Sequence, residues 1–166
     1  MHLPGVEYFY ALAALSMAFV GFTAIVVVLR QGTGKKMSAL HQLFSSIYAE
    51  LGLMASAFAM MAPTLALCGV QESLIWRICS AVMLVTIVIW FVCFPFRRKR
   101  AAPKQSLPLR FYAMAALGVA VSAALCLNIV ASSFEPGPGP LAIATVYILV
   151  VASVVFLGNY SSYLRD

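Results

Sequence analysis

Long apolar runs separated by short polar breaks dominate the chain, and their lengths predict its elements. Five runs, at about residues 8–29, 43–68, 74–96, 109–131 and 141–158, are apolar over a membrane's width. A hydrocarbon core of about 30 Å takes roughly 20 helical residues to cross. The pattern within each run is continuous. A strand of a transmembrane barrel would instead alternate apolar and polar residues over about ten positions. Helices are the remaining spanning element, because lipid provides no partner for unpaired backbone groups. The expected fold class is therefore all-α, a polytopic bundle of five transmembrane helices forming one domain over residues 1–166. The first run, "YFYALAALSMAFVGFTAIVVVL", is too long for the 7–15-residue core of a signal peptide. It is preceded by His2 and Glu7 in place of a basic start, and it is read as a retained helix.

Composition strengthens this picture. The chain is 63% hydrophobic and 10% charged, against roughly 45–50% and 25% in soluble domains. A single water-facing domain of 166 residues has no interior large enough for so much apolar surface. The net charge of +6 would point to nucleic acid in a polar protein, but here its placement excludes that reading. Counting alternate sides, Arg30, Lys35, Lys36, Arg97, Arg98, Lys99, Arg100, Lys104, Arg110 and Arg165 share one side; of the 11 basic residues only Arg77 falls on the other. The positive-inside rule then places the N-terminus outside and the C-terminus in the cytoplasm. Spans rich in alanine and valine but free of lysine fit a bacterial inner membrane. Within the longest inner loop, "RRKR" (Arg97, Arg98, Lys99 and Arg100) is expected to anchor topology and attract anionic lipid headgroups.

The second run begins earlier than lipid requires. From Ser38, a suitable N-cap, to Cys68 it covers about 46 Å at 1.5 Å per residue. Leu40, Leu43, Phe44, Ile47 and Leu51 define an apolar face, and His41, Gln42, Ser45, Ser46 and Glu50 lie opposite. After Glu50 the helix is apolar all round. Three readings stay open for this stripe: contact with water and headgroups, a carboxylate ring at the mouth of an oligomeric pore, or a partner-protein contact. Carboxylate rings favour cations. The functional expectation is accordingly a homo-oligomeric ion channel or small-solute pathway, with an accessory or assembly subunit of a larger membrane complex as the alternative.

Other chemistry is sparse. No span contains lysine for a Schiff base, and no arginine series marks a voltage sensor. His2 and His41 fall on opposite sides, and no His, Cys and carboxylate cluster has metal-ligand spacing. No enzyme, metal or cofactor is expected. Cys68 and Cys79 both fall near the outer face, where a disulfide is open to them; as a set, Cys68, Cys79, Cys93 and Cys126 read as small packing residues. Asn128 is expected to bond a neighbouring helix or face water, and Arg77 to snorkel outward or pair with Glu72, Glu7 or Glu135. Small residues let backbones approach in lipid. Such faces occur at Ala11, Ala14, Ala18 and Gly21; at Gly52, Ala55, Ser56 and Ala59; and at Ala113, Ala116, Ala120 and Ala124, with Gly118 and Ser122 beside the last. Any single face of this type is expected to pack within the bundle, and the doubled face of the fourth run favours a homo-oligomer.

Overall fold

Where lipid surrounds a chain, each backbone group must find its partner locally, and every apolar run folds accordingly as a helix. The computed structural model describes residue 3 and residues 5–32, 39–103, 109–130 and 136–163. Five helices follow in order: α1 (Val6–Gly32), α2 (Ala39–Leu67), α3 (Glu72–Ala101), α4 (Leu109–Val130) and α5 (Pro138–Tyr163). All five are long and apolar enough to cross a membrane. Between 22% and 39% of each apolar window is buried inside the bundle. The remainder, including Leu15, Phe22, Val85, Ile89 and Leu127, faces outward, which only a lipid surround tolerates. The chain is a multi-pass membrane protein. Ser38, Lys35, Lys36, Lys104, Arg165, Glu135 and His2 lie outside the described residues.

Two element ends differ from expectation for identifiable reasons. Arg97 to Arg100 belong to the last turns of α3 and not to a loop. Cations are favourable at a helix C-terminus, where unsatisfied carbonyls carry partial negative charge. Likewise "PGP" (Pro138 to Pro140) forms the first turn of α5, since proline at a helix start has its φ preset and loses no hydrogen bond. The end of α2 follows directly from "LCGV". Gly69, at φ +76, closes a Schellman motif in which its N–H donates to Ala66 O at 3.0 Å and Val70 N–H donates to Leu65 O at 3.3 Å.

α2 and α5 form the centre of the bundle. α2 packs on α1, α3 and α5, and α5 on all four others. Among the described residues α2 and α4 do not meet. Thus α2, α3, α4 and α5 enclose an axis whose one diagonal, α3 to α5, is closed while the other is held apart. α1 flanks this ring against α2. The two helices approach closely at Gly52, where an added Cβ would lie 2.5 Å from Val20 Cγ2 and 3.7 Å from the Ser16 carbonyl oxygen. Ser56 Oγ donates to Ala13 O across the same seam at 3.5 Å.

The small-residue face expected to seat α1 does not do so. Ala11, Ala14, Ala18 and Gly21 are exposed, and nothing stands within 4 Å of a Cβ built on Gly21. α1 instead turns Phe9, Leu12, Ala13 and Ser16 inward, and the small residues of the seam come from α2. On α4, Ala113, Ala116 and Ala120 are exposed while Gly118 is buried. Its added Cβ would meet Tyr147 Oη at 2.7 Å and Phe91 Cε2 at 2.8 Å. Only Cys79 of the four cysteines is buried; Cys68, Cys93 and Cys126 are exposed, so three of the four do not pack inside.

Candidate functional site

The start of α2, the end of α3, the start of α4 and the last turns of α5 meet at one end of the bundle, here termed the basic end. There the RRKR residues diverge, because successive helical positions turn by about 100°. Arg97 reaches sideways to α2 and grips Glu50 bidentately, Nη1 to Oε2 at 2.6 Å and Nη2 to Oε1 at 2.7 Å. Arg98 turns inward and is 8% exposed. Lys99 and Arg100 face out.

The Glu50–Arg97 pair has the planar fork-to-fork geometry that favours arginine over lysine. Both side chains remain substantially exposed, at 42% and 37%, so its contribution is set by the surface range and geometry. In a cycle of Glu50→Gln and Arg97→Gln, detergent unfolding is expected to give a coupling of about 1 kcal/mol. A lysine at 97 should recover less than half of it. Coupling indistinguishable from zero would mean the two side chains are not held together.

The rest of the polar stripe on α2 separates. Gln42 and Ser46 are exposed, and Ser46 Oγ donates back to Gln42 O at 3.2 Å. Ser45 Oγ accepts from Tyr48 Oη at 3.1 Å. His41 lies on another side of the helix and lines a cavity that the sequence pattern did not disclose. At the far end, Arg77 is exposed. Asn128 is buried and ties three helices together: Nδ2 donates to Ser80 Oγ at 2.8 Å and to Gly137 O at 3.2 Å, while Oδ1 accepts from Gly137 N at 3.1 Å.

The cavity occupies the axis between α2, α3, α4 and α5 at the basic end and measures about 1000 Å³. It exists because α2 and α4 stand apart there. One wall is aromatic. Trp90 and Phe94 stack at 5.1 Å between centroids, and Phe94 and Phe111 at 5.0 Å with planes 15° apart. Val151, Val154 and Val155 of α5 form the opposite wall. Positions 90, 94 and 98 are four apart on α3 and therefore stack along one inward stripe, which brings Arg98 onto the cavity beyond the two rings. Its guanidinium stands 5.9 Å from the centroid of Phe44, a cation–π arrangement. Arg110 joins it from the first turn of α4, with Nη1 3.6 Å from where a Gly158 Cβ would stand.

The cavity is blind. Toward the bundle centre it ends at Trp90, Phe91 and Val151, which also bound a separate void of about 20 Å³. Beyond that, Met83 and Leu125 are fully buried. Tyr147 fixes the α4–α5 side of this floor by donating from Oη to Met114 O at 2.7 Å. Among the described residues no Asp or Glu lines the cavity; its charged side chains are Arg98 and Arg110. Comparisons with protein-family models, curated proteins and solved structures found no match to this chain.

Proposed function

We propose that this protein is a membrane receptor or carrier that binds the apolar part of an amphiphile in the cavity between α2, α3, α4 and α5. The observation that carries this reading is the blind cavity of about 1000 Å³ with stacked aromatic and branched aliphatic walls. Ligand pockets have volumes of about 300–1,000 Å³ and mostly apolar linings with a few polar groups. With the N-terminus outside, as the distribution of basic residues favours, the cavity opens at the cytoplasmic face. A blind floor suits retention or presentation of a ligand better than continuous flow through one subunit.

The test uses the two tryptophans. In a Trp76→Phe background Trp90, on the cavity wall, is the sole emitter. A brominated-chain amphiphile titrated into the detergent-solubilised protein should quench it saturably. Val154→Trp would fill the cavity and would add a second emitter, so this variant is assayed by native mass spectrometry. It should lose bound amphiphile while unfolding within about 1 kcal/mol of the parent, since its side chain enters existing space. Quenching that rises linearly without saturation would overturn the reading.

A cation pathway lined by Glu50 in a homo-oligomer is the second reading, supported by the exposed positions of Gln42 and Ser46. It requires a carboxylate already held by Arg97 to act on ions. Cation flux in reconstituted vesicles that falls with Glu50→Gln would favour it; absence of flux from a well-incorporated oligomer would remove it.

A further inference from the structure

Resting on the cavity reading, we infer that the last turns of α3, residues 96–101, form a hinged lip of the cavity, latched shut by the Glu50–Arg97 pair. Three observations coincide on this stretch. The first is the hinge. Pro95 lies inside α3, where it has no N–H to give the carbonyl of Phe91 and its ring crowds that carbonyl. Sharp bends in helices concentrate at such positions. The cavity wall divides at the same point: Trp90, Phe91 and Phe94 precede the proline, while Arg98, Ala101 and Ala102 follow it toward the basic end.

The second is packing. Before the proline α3 is firmly seated, since Phe94 is buried and stacks on both Trp90 and Phe111. Over residues 96–101 no apolar side chain is buried. Phe96, Lys99 and Arg100 are exposed, Arg97 and Ala101 are half-buried, and Arg98 alone of these six is buried. A stretch with so little buried apolar surface opens at lower cost than the helix that carries it. The third is the latch. Arg97 and Arg98, one position apart, both reach α2: Arg97 grips Glu50, and Arg98 stands over the Phe44 ring beside the cavity. The bidentate pair is the directional contact, and both its side chains are well exposed. Such a pair favours the closed lip by about fivefold in population. That is enough to bias the lip and little enough to release it. The amphiphile enters and leaves when the lip swings from α2, and the closed lip retains it.

The experiment follows Trp90 emission in the Trp76→Phe protein after rapid mixing with brominated-chain phosphatidylcholine. Glu50→Gln and Arg97→Gln should each raise the association and dissociation rates together by about fivefold, leaving Kd within about twofold. The double reversal, Glu50→Arg with Arg97→Glu, should return both rates toward the parent values. Pro95→Ala restores the missing helical bond and should slow both rates. Acrylamide quenching of Trp90 without amphiphile reads the lip alone, and both single variants should raise it. Parent-like rates and parent-like acrylamide quenching in the single variants would overturn the latch and leave the cavity reading intact. A changed Kd with an unaltered association rate would also overturn it, placing the pair in binding itself. Raised acrylamide quenching without saturable binding of the amphiphile would overturn the cavity reading and keep the moving lip.

Discussion

Gly52→Leu is expected to unseat α1 from the bundle, whereas Gly21→Leu is expected to leave stability nearly unchanged. Both are glycines within apolar helices, and their surroundings decide the difference. A Cβ at position 52 would already lie 2.5 Å from Val20 Cγ2, 3.5 Å from Phe19 Cδ1 and 3.7 Å from the Ser16 carbonyl oxygen. The nearest atom belongs to a β-branched side chain with restricted rotamers, so relief requires the backbones to separate. Separation would also break the 3.5 Å bond from Ser56 to Ala13. Overpacking of this type costs about 3 kcal/mol. Position 21, by contrast, has no neighbour within 4 Å of its Cβ.

A readout for α1 is built in. Phe9 stacks on Trp76 at 5.9 Å with planes 29° apart; in a Trp90→Phe background, emission from Trp76 reports docking of α1 on the rest. Gly52→Leu should shift that emission and lower the detergent midpoint, and Gly52→Ala should show a smaller effect of the same sign. Equal stability of the two leucine variants would mean that α1 is not held at this seam. A loss of self-association confined to Gly21→Leu would instead identify the exposed small-residue face as a contact between copies.

The contrast between the two glycines also explains what was legible in the sequence. Helix number and extent follow from run length, because the bilayer imposes a ruler. The long amphipathic start of α2 was legible for the same reason. Which face packs inward was not. In water, polar residues mark the outer face, but in lipid both faces are apolar and periodicity falls silent. Gly21 and Gly52 consequently look alike until neighbours are known. The RRKR cluster failed for a related reason. Read as charge it is one object, but as a helix it divides among an ion pair, a cavity and the surface. The spacing of Trp90, Phe94 and Arg98 contained the missing signal. It became readable only once α3 was seen to continue through Pro95.

Asn128 was the one intramembrane polar group whose sequence required a partner, and its replacement by leucine is the second large effect expected. Leucine nearly conserves volume, so the loss arises from hydrogen bonds and not from a cavity. Three bonds disappear, two of them to Gly137 at the start of α5. Ser80 can turn its hydroxyl to a carbonyl of its own helix. Gly137, directly before the first turn of α5, has the amide of Asn128 as partner to both its N–H and its carbonyl. Orphaned buried groups cost about 1–3 kcal/mol each, while interhelical bonds in membranes average about 0.6 and reach about 1.7 kcal/mol. Because Gly137 loses both a donor and an acceptor partner, Asn128→Leu should cost about 2–3 kcal/mol. Ser80→Ala leaves the Gly137 clamp in place and should cost less than about 1 kcal/mol. Hydrogen exchange separates the two further: Asn128→Leu should speed exchange in the first turns of α5, and Ser80→Ala should not. Equal costs and unchanged exchange would transfer the role from Gly137 to Ser80, making Asn128 a tie between α3 and α4 alone.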